Sequence, residues 1–164
     1  MPSEQNDDYL AKQVREEFLE KKWTLSIAES CTGGLVCHRL TNWSGASDFF
    51  ILGTIVYSNE AKINVLNVKK ETIEKFGAVS AETAKELAEN AKNVMNNIDI
   101  GLAITGIAGP TGGSFDKPVG LVYIAVSRGS DTIVKKYVFS KNRIENKKQF
   151  ADAALKLLLE VIRL

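Results

Sequence analysis

The chain has 164 residues, 45% of them hydrophobic, and a formal net charge of +1. That size and apolar content suit one domain with its own core. The charges are spread along the chain, which excludes the basic footprint of a nucleic-acid or anionic-membrane binder. Met1 to Asp8 is polar and acidic and no apolar run reaches bilayer length, so no secretory signal or membrane span is expected and the expected location is cytoplasmic. Cys31 and Cys37 fit no metal-ligand or C-x-x-C pattern, and reduced thiols are expected.

Asp7 or Asp8 can cap a first helix in which Leu10, Val14 and Phe18 recur every fourth residue, ending near Lys21 and Lys22. Residues 1–22, a polar tail and this helix, are expected to share one domain with residues 23–164. Trp23 to Ala28 reads as a strand, Thr32 to Leu40 as a helix, and Phe49 to Tyr57 as a buried strand. Short helices follow over Asn59 to Leu66 and Lys70 to Phe76, where Gly77 stops the second. Ser80 caps an amphipathic helix expected to run to Asn96, with Met95 on its apolar face. Ile98 to Ile104, Val119 to Ser127 and Thr132 to Phe139 read as strands, the last two joined by a hairpin turn at Arg128 to Asp131. A final helix buries Phe150, Ala154, Leu155, Leu158 and Ile162. Alternation of strands and helices followed by a late hairpin predicts a three-layer α/β/α sandwich with a mixed sheet.

Chemistry concentrates in two glycine-bearing segments. Ala28-Glu29-Ser30-Cys31-Thr32-Gly33-Gly34 puts a hydroxyl where a strand turns into a helix, and Gly33 and Gly34 let a ligand approach the backbone amides of the turn. Thr32, Gly33 and Gly34 are therefore candidates for an oxyanion-binding or anion-binding turn. A turn with glycines placed for packing is the competing reading. The second segment, Thr105 to Gly113, follows a strand, which is where ligands sit in open α/β sheets. It matches neither G-x-G-x-x-G nor G-x-x-x-x-G-K-[ST], so neither a dinucleotide fold nor an NTPase follows.

A nucleophilic serine needs a base. The one histidine, His38, is eight residues past Ser30 on the same expected helix, about 12 Å along the axis at ~1.5 Å per residue, and cannot serve within one subunit. Lys62 is the better candidate, because burial and an adjacent helix N-terminus would lower its pKa, and Ser-Lys dyads are a known solution to acyl transfer. Tyr57, just before that helix, can relay a proton or hydrogen-bond the nucleophile. Cys31 is an alternative nucleophile, but one residue into the turn it is expected to face the packing. Arg143 can grip a phosphate through its planar fork. A solvated lysine, an aromatic at a sheet edge and a helix-terminal surface charge are the bland readings of Lys62, Tyr57 and Arg143.

Taken together, Ala28 to Gly34, Tyr57-Ser58-Asn59-Glu60-Ala61-Lys62, Gly77-Ala78-Val79-Ser80, Thr105-Gly106-Ile107-Ala108-Gly109-Pro110 and Lys117-Pro118-Val119-Gly120 resemble, in order, the CinA C-terminal-domain family. The match runs from about Thr24 to the end, and it departs at Lys147, where the family often carries an arginine. Family members include stand-alone amidohydrolases of nicotinamide mononucleotide, which make nicotinate mononucleotide and ammonia. The resemblance implies a serine amidase with Ser30, Tyr57 and Lys62 on its active-site positions and Thr105, Gly106 and Gly109 on its ligand loop. The larger N-terminal domain of full-length CinA proteins has no counterpart in these residues, so an isolated module is expected. The expected reaction needs no cofactor and no metal. Its partners would be a small nucleotide substrate and further copies of the chain in a homo-oligomer, with no nucleic acid or membrane. The rival reading is a noncatalytic nucleotide-binding or competence-associated module, which has no need for Ser30, Tyr57 and Lys62 together.

Overall fold

A computed structural model of the protein describes residues 8–164. Helix α1 (Tyr9–Lys21) is capped by the Asp8 carboxylate, which accepts from the Ala11 amide; Asp7 lies outside the described residues. The fold continues with β1 (Leu25–Glu29), α2 (Leu35–Thr41), β2 (Phe50–Ile55), α3 (Asn59–Leu66), α4 (Lys70–Phe76) and α5 (Ala81–Asn93). It closes with β3 (Ile100–Gly106), β4 (Leu121–Arg128), β5 (Asp131–Val138) and α6 (Arg143–Ile162). The five strands form one sheet in the order β2-β1-β3-β4-β5. The first three run parallel, and β4 and β5 are antiparallel additions joined by a two-residue turn.

Two apolar layers make this a three-layer sandwich, as the strand and helix order predicts. On one face Phe18, Val36, Phe150 and Leu158 of α1, α2 and α6 pack on Ile27, Leu102 and Ile124. On the other, Ala84, Leu87 and Ala88 of α5 pack with Leu66 of α3 and Ile73 of α4 against Ala28, Ala103 and Ala125. The small alanines of the central strands face α5, and the larger branched residues face α6. Gly101 shows how tight the α5 side is: a β-carbon there would sit 2.0 Å from the Ala88 carbonyl oxygen.

Three expectations change. The second strand lies at the sheet edge with alternate residues exposed, Ile51 and Ile55 among them, because β1 covers only one of its sides. Helix α5 stops at Asn93, leaving Met95 half exposed rather than on the core face. Helix α2 begins at Leu35 instead of Thr32, because Gly33 and Gly34 adopt φ of 62° and 96°, outside the right-handed helical region. Among the described residues no helix is long and apolar enough to cross a membrane.

Candidate functional site

The parallel order aligns the C-terminal ends of β1, β2 and β3 along one sheet edge, where ligands bind in open α/β folds. Ser30 directly follows β1, Tyr57 follows β2, and Thr105 and Gly106 end β3. These ends open into a cavity of about 230 Å³ whose lining includes Ser30, Tyr57, Lys62, Thr105, Gly109 and Arg143.

Lys62 projects into this cavity from the first turn of α3, which the Ser58 hydroxyl caps through the Ala61 amide. Its side chain is 1% exposed. Nζ lies 3.1 Å from Ser30 Oγ, 2.9 Å from the Val56 carbonyl oxygen and 3.1 Å from that of Tyr57. Among the described residues no carboxylate is one of its hydrogen-bond or ion-pair partners, and burial lowers its pKa below the ordinary lysine value, against a smaller opposing influence from Cys31. Nζ donates to both carbonyls and to Ser30 Oγ, which uses three N–H groups; once Nζ has lost a proton, its lone pair can instead accept from the Ser30 hydroxyl. Tertiary packing thus joins a serine and a lysine that are 32 residues apart in sequence.

Glu29 fixes the turn that carries Ser30. It is fully buried, and its carboxylate accepts from the amides of Gly34 at 3.0 Å, Val36 at 3.3 Å and Cys37 at 2.8 Å. An acidic residue at the end of a buried strand, just before the glycine turn, is the sequence signal for this cap, which satisfies unpaired donors at the start of α2. It also changes the expected anion-binding role of the turn. The Gly34 amide is engaged by Glu29 and the Gly33 amide by the Ser30 carbonyl, so neither is free for a ligand. The Cys31 and Thr32 amides donate to no protein group among the described residues. Cys31 is buried, and desolvation pushes its thiol pKa up to about 12, which removes it as a competing nucleophile.

The remaining candidates meet in one network. The Arg143 guanidinium donates to the Gly109 carbonyl at 2.6 Å and to the Tyr57 hydroxyl at 3.0 Å. The Tyr57 hydroxyl is thereby held by Arg143, and its carbonyl, not its phenol, contacts Lys62. Thr105 donates its hydroxyl to the Ala78 carbonyl and so holds the Gly77 to Ser80 segment against the cavity. Asn146, fully buried, donates to the Ala108 and Lys141 carbonyls and accepts from the Lys141 amide. It pins the 105–113 loop to α6. The legible sign was a polar residue on the apolar stripe of α6, four positions before Phe150. His38 is exposed on α2 and, as its distance along the helix from Ser30 predicts, is absent from the lining of the Ser30 cavity.

The fold and the site together define a three-layer α/β protein with a buried Ser-Lys pair at the carboxyl edge of its sheet. The chain belongs to the CinA C-terminal domain family, whose model matches residues 7–162. It is similar to the competence/damage inducible protein CihA from Agrobacterium tumefaciens, with a TM-score of 0.90 and 36% identity over 94% of each chain. It is also similar to a CinA superfamily protein from Klebsiella pneumoniae 700603, with a TM-score of 0.89 and 30% identity over 94% of this chain and 96% of that one. Among curated relatives, a protein of Thermoanaerobacter sp. (strain X514), provisionally named a competence-damage inducible protein, is 51% identical over 138 residues, 84% of this chain. The chain spans about a third of the length of the curated relatives it matches.

Proposed function

We propose that the chain is a serine amidohydrolase acting on the carboxamide of nicotinamide mononucleotide. The observation that carries this reading is the 3.1 Å contact between Ser30 Oγ and the desolvated Lys62 Nζ, which has no carboxylate partner among the described residues. A lysine held this way serves as a base, whereas a permanent cation in the same place would require a counter-ion. A module that only bound a nucleotide would have no use for a buried amine aimed at a serine hydroxyl.

In this mechanism Ser30 Oγ attacks the amide carbon as its proton passes to Lys62 Nζ. The carbonyl oxygen becomes an oxyanion, for which the Cys31 and Thr32 amides, next in the chain and without protein partners, are the available backbone donors. Collapse breaks the C–N bond as Lys62 returns the proton to the nitrogen, ammonia leaves, and an acyl-serine remains. Water then attacks the acyl carbon, Lys62 takes its proton and gives it to Ser30 Oγ, and the product acid departs. The 105–113 loop and the Tyr57–Arg143 strap form the walls that orient the carboxamide.

The test is release of ammonia and nicotinate mononucleotide from nicotinamide mononucleotide by the full chain, with Ser30→Ala as the control. Turnover in the parent and none in the variant is the expected result. Nucleotide binding without ammonia release would leave the noncatalytic reading in its place.

A further inference from the structure

The two edges of the sheet are built differently. β5 closes one side and carries Asp131, Lys135 and Lys136 along its length. Charged side chains, lysine above all, keep a free strand from pairing with another chain. β2 closes the other side with the sequence Phe-Ile-Leu-Gly-Thr-Ile, which holds no charge and no proline. Its one register irregularity lies at its start, opposite Leu25 and Ser26, and leaves residues 52–55 regular.

Among the described residues the outer edge of β2 has no hydrogen-bond partner. β1 takes the backbone groups on one side of the strand, and outside that ladder no hydrogen bond from backbone or side chain reaches the backbone of residues 50–55. No residue of β2 is buried, and Ile51 is 42% and Ile55 54% exposed. Tyr57, just beyond the strand, adds a ring that is also more than half exposed. An open row of amides and carbonyls between exposed branched side chains is a template for strand addition.

We propose that the β2 edges of two copies of the chain pair antiparallel about a two-fold axis through the middle of the strand, joining their five-stranded sheets into one. The strand itself selects a second copy as its occupant. Laid beside its own image, an uncharged strand sets no like charges opposite each other, and a net charge of +1 adds little repulsion between whole chains. The two-fold pairing brings the end that carries Ile51 against the end that carries Ile55, apolar on apolar, twice over. It also closes: the edges left on the assembly are the two lysine-bearing β5 strands, so growth stops at the dimer. A partner recognised by charge would find no charged side chain on β2 to grip. The pairing does not depend on the amidase reading.

Sedimentation velocity of the full chain from about 1 μM to about 1 mM reads the association. The parent is expected to pass from monomer to dimer across that range. Ile51→Lys/Ile55→Lys should need at least about tenfold more protein to reach the same dimer fraction, because it sets lysines of the two copies side by side. Val138→Lys, at an exposed position of β5, should behave as the parent. All three substituted positions are exposed, and circular dichroism checks that the fold is kept. A second measurement needs no variant: amide hydrogen exchange over residues 50–55 should slow as the parent is concentrated, while exchange over β5 should not. A parent that stays monomeric throughout, a dimer that the β2 lysines leave intact, or concentration-dependent protection at β5 in place of β2 overturns the proposal.

Discussion

Lys62 and Lys147 are the same side chain placed in opposite surroundings, and the contrast separates two uses of one amine. Lys62 is sealed at the end of β2, where two carbonyls and a serine hydroxyl take all its hydrogen-bonding capacity and burial favours the uncharged form. Lys147 stands at the wall of a cleft without a protein partner among the described residues. A buried amine with no counter-ion can take a proton, whereas a hydrated ammonium can hold an anion. Position relative to solvent divides these roles.

The largest effect should come from removing the group that Lys62 serves. Ser30→Ala is expected to lower kcat by about 10³-fold or more with little change in fold or ligand affinity, measured by ammonia release and by titration of the mononucleotide. Near-normal turnover would move the nucleophile elsewhere.

Replacing the lysines sharpens the contrast next. Lys62→Arg should lose on the order of 10²-fold to 10⁴-fold in kcat, because guanidinium cannot accept a proton at working pH. With Lys62 as the proposed base its neutral form is the one that acts, so the rate should rise with pH through its lowered pKa. That ionisation should vanish in Lys62→Met. Lys147→Met should leave the profile in place. Retained activity in Lys62→Arg with an unchanged profile would end the dyad.

Glu29→Gln is expected to cost about 1–3 kcal/mol in urea unfolding, since glutamine turns an N–H donor toward one of the three amides that the carboxylate now satisfies. No loss would mean that the α2 amides find other partners. Tyr57→Phe should lower kcat by less than about tenfold, because the phenol is held by Arg143 and not by Ser30. A loss as large as that of Ser30→Ala would restore the proton-relay role expected for Tyr57 from the sequence.

The smallest effect is on stability and has a defined sign. Lys62 has a folded-state pKa below its ordinary value of 10.5, so between those two values the folded chain binds fewer protons than the unfolded one. Parent stability should therefore rise with pH across that window. Lys62→Met should be more stable than the parent at neutral pH, by an advantage that shrinks toward pH 10.5. Thermal unfolding of both proteins across that range checks the sign. An advantage independent of pH would mean that Lys62 is charged equally in both states.

Much of the fold is legible in local pattern. The boundaries of α3 and α4, the Ser80 cap and the hairpin all follow from short-range rules of capping, periodicity and turn chemistry. The edge position of β2 was not legible, because an apolar strand reads alike whether one or both of its sides are paired. Of the site, Ser30 and Lys62 could be singled out by residue type and position after a strand, but their contact could not. The Arg143–Tyr57–Gly109 strap joins residues 86 and 34 positions apart, and no local period encodes such a separation.

The sequence by itself determined the alternation of elements, the strand-to-helix turn that presents Ser30, the glycines that let it bend, and a lysine one turn into the helix after β2. Those outcomes depend on backbone conformation and on spacing along a few residues. Only the tertiary structure decided which amine loses its water, which amides Glu29 takes from the turn, and which cations stay unpaired beside it. Desolvation and hydrogen-bond satisfaction are set by what the folded chain packs around a group, and the neighbours of Lys62 and Lys147 arrive from other elements of the chain.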